Sequence, residues 1–131
     1  MINLDTNVLL RFFVSDDEAQ AATVRHLVAG ELSEENPGYI TLVVLAEVVW
    51  ALRTGYATPF PEISAFLEQL TTSREFVVDR AHVVLEAISH TDSAADFTDT
   101  LIAALGRAAG CTETVTFDRR FAQQEGVRLL R

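Results

Sequence analysis

Five short β-type runs alternate with helical stretches along all 131 residues, and that order narrows the possible folds more than any single motif does. Ile2 to Leu4, Tyr39 to Thr41, Phe76 to Val78, Thr114 to Phe117 and Val127 to Leu130 read as strands. A helix starts at Thr6, and a second runs from a capping region at Ser15, Asp16 and Asp17 to about Ala29, where Gly30 stops it. Leu42 to Arg53 reads as a helix ending near Gly55, and Pro61 opens another over Glu62 to Leu70. Arg80 to Ser89 is helical, Asp92 or Ser93 caps a long helix ending near Ala109 with Gly110 as its stop, and Arg119 to Gln124 forms a short one. Strands separated by helices pair side by side in parallel. The expected fold class is therefore α/β, a three-layer α/β/α domain with a central, mostly parallel sheet of four to five strands. A chain of this length builds one core, so residues 1–131 are expected to be a single domain.

Composition excludes several functions. A net charge of −9 argues against a protein that coats itself onto nucleic acid by general electrostatics. All ten basic residues are arginine, which excludes chemistry that needs a lysine, such as P-loop nucleotide hydrolysis or Schiff-base formation. The single Cys111 allows no internal disulfide, and the start MINLDTN lacks the basic and long apolar segments of a signal peptide. The longest apolar run, Leu42 to Leu52, is broken by Glu47 and spans about half a bilayer-crossing helix. The expectation is a cytoplasmic protein that does not enter the membrane.

Carboxylates punctuate the apolar stretches: Asp5 in INLDTN, Glu47 in VVLAEVVW, Asp96 and Asp99 in ADFTDTLIAA, and Asp118 in VTFDRRF. Each has an ordinary explanation. Asp5, Asp79 and Asp118 follow strands, where aspartate caps the next helix. Asp96 and Asp99 lie three apart on one helical face, as first-turn acids do. Yet open α/β sheets bind ligands beyond the carboxyl ends of their strands, which raises Asp5 and Asp118 above simple caps. Glu47 is the only charge between Leu42 and Leu52, so that helix is expected to be largely buried, and a buried lone glutamate must be neutral, paired or metal-bound.

Two carboxylates about 4 Å apart repel by about 4 kcal/mol at an effective dielectric of about 20. Mg²⁺ or Mn²⁺ converts that penalty into binding, and all-oxygen ligation accounts for the missing His/Cys spacing of zinc sites. His26, His82 and His90 lie in or beside polar helical segments and read as surface residues.

DTN after the first strand, a glutamate in the following apolar helix, DFTDTLIAA, and TFDRRF near the C-terminus together resemble the PIN-domain ribonucleases, specifically VapC-type toxins of toxin–antitoxin pairs. The likeness covers essentially the whole chain. It implies an acidic quartet of Asp5, Glu47, Asp99 and Asp118, with Asp5, Asp99, Asp118 and additionally Asp96 as metal ligands. Thr6, Asn7 and Thr116 fill supporting positions, and Asp79 matches none. Arg11, Arg53, Arg119 and Arg120 are candidates to contact an RNA backbone.

The implied activity is Mg²⁺-dependent (or Mn²⁺-dependent) hydrolysis of RNA phosphodiester bonds by an endoribonuclease toxin. The implied partners are the RNA substrate and a cognate VapB-type antitoxin covering an apolar groove to which Phe12, Phe13, Trp50 and Leu52 are candidates. The implied assembly is a homodimer, becoming a heterotetramer or larger with antitoxin. Two other readings stand beside it: a catalytically silent PIN-fold binding module, and a PIN nuclease of RNA processing without an antitoxin.

Overall fold

In the protein's structure, a computed structural model that describes residues 1–91 and 94–131, the chain divides into two compact units, Met1–Ala81 and His82–Arg131. The expected caps at Asp92 or Ser93 lie outside the described residues.

The first unit runs β1 (Ile2–Asn3), α1 (Thr6–Phe13), α2 (Glu18–Gly30), β2 (Gly38–Ile40), α3 (Leu42–Thr54), α4 (Phe60–Thr72) and β3 (Phe76–Val78). Its three strands form a parallel sheet in the order β1-β2-β3, with Ile2 opposite Gly38 and Gly38 opposite Phe76. Every neighbouring pair is thus joined through two helices. The Leu4 N–H donates to the Tyr39 carbonyl and the Asp79 N–H to the Ile40 carbonyl, so the carboxyl ends of all three strands share one edge.

Local chemistry sets the helix boundaries. The Asp17 carboxylate accepts from the Gln20 N–H at 3.1 Å and starts α2. Thr41, read above as the end of a strand, is instead the N-cap of α3, its Oγ1 accepting from the Val44 N–H at 3.2 Å. In α4 the buried residues Ile63, Phe66, Leu67 and Leu70 recur at three- and four-residue spacing, the signature of one helical face turned inward. Phe12 and Phe13 tilt against Phe66 at ring-centroid distances of 6.2 and 4.7 Å, and Phe12 also meets Phe76 at 5.6 Å. These two phenylalanines belong to the packing of this unit, and Leu52 is fully buried, so of the residues put forward for an apolar groove only Trp50 stands exposed.

Gly38 is needed for close approach, because a Cβ built there would lie 2.6 Å from Leu4 Cδ1 and 3.1 Å from Leu32 Cδ1. Leu4 and Leu32 are themselves buried and have little room to retreat. Gly38→Ala is therefore expected to lower stability by about 1–3 kcal/mol, read from denaturant unfolding followed by circular dichroism.

The second unit contains α5 (Ala81–Ser89, its first residue closing the preceding unit), α6 (Ala94–Ala108), β4 (Thr114–Thr116), a 3₁₀ turn at Phe121–Gln123, and β5 (Val127–Leu129). The helix expected from Arg80 begins one residue later because Arg80 adopts φ 51°, a left-handed conformation that cannot start an α-helix. Gly110, at φ 93°, ends the long helix as expected, with the Cys111 N–H returning to the Gly106 carbonyl. The short helix expected over Arg119 to Gln124 is only the 3₁₀ turn. Strands β4 and β5 pair in parallel, Thr114 opposite Val127, and Arg128 grips Glu113 through Nη2 at 2.6 Å and Nε at 3.0 Å.

The fold class is thus mixed α/β with parallel strands, as expected, but among the described residues three strands pair in the sheet of the first unit and two in that of the second, where one sheet of four to five was expected. Most strands here are three residues long, and such short apolar runs carry no signal of which neighbour they will join. No described helix is long and apolar enough to cross a membrane.

Candidate metal centre

Asp5 follows β1 at the N-cap position of α1, yet its side chain makes no cap hydrogen bond. Only its backbone carbonyl serves the helix, accepting from the Val8 and Leu9 N–H groups. The exposed carboxylate at this strand end is not consumed by the local structure, which removes the ordinary explanation for it. The next residue, Thr6, holds its Oγ1 buried without a hydrogen-bond partner among the described residues, an arrangement that ordinarily costs about 1–3 kcal/mol. Asn7 is exposed beside a hollow of about 360 Å³ that Val8, Arg11 and Gln20 also line.

Glu47 corrects an expectation. Helix α3 is not buried all round: Leu45, Val48, Val49 and Leu52 face inward, while Glu47 is exposed along with Val43 (69%) and Trp50 (62%). Positions 43, 47 and 50 share one helical face. A run apolar on every side but for Glu47 hides which side the packing will use, so the buried-charge argument for Glu47 fails, and its carboxylate is exposed one to two turns past the end of β2.

Two of the candidate arginines of this unit differ sharply. Arg11 is committed internally: its Nε donates to Gln20 Oε1 at 2.8 Å, and its Nη1 reaches Asp16 Oδ1 and the Tyr56 hydroxyl, each at 3.3 Å. Tyr56 in turn donates to Asp16 Oδ2 at 3.0 Å, closing a ring of polar contacts that ties α1 to the segments after it and after α3. Arg53 is exposed.

Asp96, Asp99 and Asp118 all belong to the second unit. Helix α6 buries Phe97, Thr100, Leu101 and Ala104 on one side and leaves Asp96 and Asp99 half-buried at its margin. Asp118 follows β4 and turns the chain: its Oδ1 accepts from the Arg120 N–H at 2.8 Å and the Phe121 N–H at 3.2 Å. The capping role anticipated for Asp118 is thus met by one of its two carboxylate oxygens. Thr116 supports the same turn, its Oγ1 accepting from the Asp118 N–H at 3.0 Å.

Ionisation of Asp99 is disfavoured. Burial first, then the charges of Asp118 and Asp96, hold its carboxyl above the ordinary value of 3.8. Arg120 pairs with Asp96, its Nη2 lying 2.9 Å from Asp96 Oδ2, beside a polar hollow of about 290 Å³ lined by His90, Asp96, Arg120, Gln123 and Gln124. Arg119 is exposed. The Asp96–Arg120 pair spans 24 residues and was not anticipated; no spacing rule links a helix acid to an arginine past the next strand. The same holds for Gln124, whose Nε2 donates to Thr100 Oγ1 at 3.2 Å.

The donor chemistry fits a hard divalent cation. The acids offer only carboxylate oxygens, and Asp99 is pressed by two like charges that such an ion would relieve. Among the described residues, however, no group of three or more His, Cys, Asp and Glu side chains stands close enough to hold a metal ion. In the second unit Asp99 feels the charges of Asp118 and Asp96, but the three do not form a ligand cage.

A family model described as the PIN domain matches residues 2–127. PIN domains are generally metal-dependent nucleases. No curated protein matches the chain as a relative.

Proposed function

The chain belongs to the PIN-domain family, and from that premise we propose that it is a metal-dependent endoribonuclease acting as the toxin of a toxin–antitoxin pair. Its working acids in this reading are Asp5, Glu47, Asp99 and Asp118, with Asp96 assisting as a ligand of Mg²⁺ or Mn²⁺. The observation that carries the reading is Asp99, a half-buried aspartate whose ionisation two neighbouring carboxylates oppose. A fold retains such a group at a cost to stability when the charge has a use.

The chemistry a bound divalent cation supplies is activation of water and neutralisation of charge on the phosphodiester. The chain's own residues have separate tasks. Asp99 and Asp96 present ligand oxygens from one helix face, and Asp118 offers the oxygen that its turn does not use. Asp5 presents a carboxylate that α1 leaves unspent, and the exposed Glu47 is suited to orient water. Arg53 and Arg119, both exposed, are the arginines available to a phosphate backbone, whereas Arg11 is bound up in its own contacts. The cognate antitoxin of the VapB type, the homodimer and the larger complex follow from the VapC likeness of the DTN, DFTDTLIAA and TFDRRF segments.

A catalytically silent PIN-fold module is the rival reading, favoured by the Asp96–Arg120 pair, in which one oxygen of a proposed ligand already meets a guanidinium. Purified protein incubated with RNA separates the two. Cleavage is expected with Mg²⁺ or Mn²⁺ and should disappear on chelation and return when the ion is restored. Cleavage that persists in chelator, or none under any ion, would remove the mechanism. Growth arrest on expression, relieved by a small protein encoded beside this one, would distinguish a toxin from an RNA-processing nuclease.

A further inference from the structure

The turn after β4 sends its two phenylalanines opposite ways. Phe121 is buried, whereas Phe117 is 77% exposed. The backbone between them is held by Asp118, whose Oδ1 accepts from the Arg120 and Phe121 N–H groups, and by Thr116, whose Oγ1 accepts from the Asp118 N–H. Phe117 and Arg119 therefore flank Asp118 on a hydrogen-bonded turn. The Leu130 N–H donates to the Thr116 carbonyl at 2.7 Å, which brings the chain after β5 alongside. Phe117, Arg119, Leu129, Leu130 and Arg131 line one hollow of about 680 Å³ at the carboxyl ends of β4 and β5. Its size lies within the range of about 300–1,000 Å³ that small-ligand sites occupy. An exposed phenylalanine alone signifies little. The charge around it signifies more: the lining holds two arginines and no acidic side chain, in a chain of net charge −9. Arg11, Arg74, Arg107, Arg120 and Arg128 are each paired with a carboxylate, whereas among the described residues the side chains of Arg119 and Arg131 form neither an ion pair nor a hydrogen bond.

We infer that this hollow is a subsite for one unpaired nucleotide of an RNA strand, with Phe117 stacking on the base and Arg119 and Arg131 holding its phosphate; the inference rests on the nuclease reading above and narrows its substrate to single-stranded RNA. An exposed aromatic ring beside free guanidinium groups is the combination with which proteins hold single strands. Because Phe117 and Arg119 are the chain neighbours of Asp118, a nucleotide seated here carries its adjoining phosphate toward that carboxylate. A peptide partner would answer the arginines equally well, but the adjacency to an acid assigned to phosphate chemistry favours RNA. Base-paired RNA keeps its bases stacked within the helix and offers Phe117 no free face. Stacking reads no base edge, so the subsite selects unpaired strands and is tolerant of their sequence.

Fluorescence anisotropy of a labelled uridine oligonucleotide, titrated with the intact protein in chelator, tests this. Phe117→Ala is expected to weaken binding by about 5- to 100-fold, the range over which loss of one base–aromatic stack is felt. Phe117→Trp should stay within about twofold of the unmodified chain, whereas Phe117→Leu, apolar but without a π face, should resemble alanine. Arg119→Gln should reduce the slope of log affinity against log salt by about 0.7, the share of one phosphate contact on a single strand. A fully paired RNA duplex should compete poorly. Unchanged affinity in Phe117→Ala, or failure of the unmodified chain to bind the oligonucleotide, would overturn the subsite. Loss of self-association in Phe117→Ala with RNA affinity intact would overturn it too, assigning the hollow to a second copy of the chain. Cleavage in Mg²⁺ or Mn²⁺ judges the nuclease reading separately: binding that depends on Phe117 in a chain that never cleaves would keep the subsite and remove the nuclease. Phe117 is exposed, and equal unfolding midpoints verify that its replacements leave the fold alone.

Discussion

Replacing Asp99 by asparagine is expected to move stability and activity in opposite directions. In metal-free buffer Asp99→Asn should unfold at a higher temperature than the unmodified chain, because it removes a charge that burial, Asp118 and Asp96 all oppose. Metal-dependent RNA cleavage should fall by about a hundredfold or more, the scale on which loss of one preorganised electrostatic group is felt. The pH dependence carries the same sign. A carboxyl whose native pKa exceeds its unfolded one binds its proton more firmly in the folded chain. Stability therefore falls as pH rises from the ordinary value of 3.8 through the higher native value, and neutral pH bears the whole penalty. Asparagine has no proton to lose, so the variant's profile should flatten across that window. Added Mn²⁺ should raise the midpoint of the unmodified protein and leave that of Asp99→Asn nearly unchanged. A variant that is less stable in chelator, or one that cleaves RNA at the original rate, would show that Asp99 is not held ready for a cation.

The second large effect lies two residues away. Phe97 is fully buried and anchors the inward side of α6, whose outer margin carries Asp96 and Asp99. Phe97→Ala leaves a cavity that close packing cannot collapse around, at a cost of about 3–5 kcal/mol. Against a total stability of about 5–15 kcal/mol for an ordinary domain, that loss brings the unit near unfolding at 37 °C. Chemical denaturation followed by circular dichroism should show the midpoint fall steeply, with Phe97→Leu recovering most of it. A fall of less than about 1 kcal/mol would mean that the phenyl ring does not hold α6 in place. The two substitutions are expected to separate: on the proposed reading Asp99→Asn lowers cleavage on a firmer scaffold, whereas Phe97→Ala weakens the scaffold itself.

Much of the secondary structure was legible because its causes are local. Asp17 caps α2, Pro61 sits in the first turn of α4, and Gly110 takes the left-handed conformation after α6, each for reasons confined to a few neighbouring residues. The misreadings have equally definite causes. Thr41 looks like a strand residue, but its hydroxyl starts a helix; Arg80 looks helical, but its backbone is left-handed. Position 5 was legible as a strand-end acid, yet only the structure shows that α1 makes no use of its side chain.

What the order of residues determined alone was the alternation of strand and helix, the parallel pairing that alternation requires, and the identity of the acids, since these depend on periodicity, capping chemistry and residue type. Tertiary structure decided the pairing of the described strands as three and two, the side of α3 that meets water, and the pairing of Arg120 with Asp96 across 24 residues. Those outcomes arise from contacts between segments distant along the chain. Which face is covered, and which charge is neutralised, depends on how surfaces fit together, and no local pattern encodes that fit.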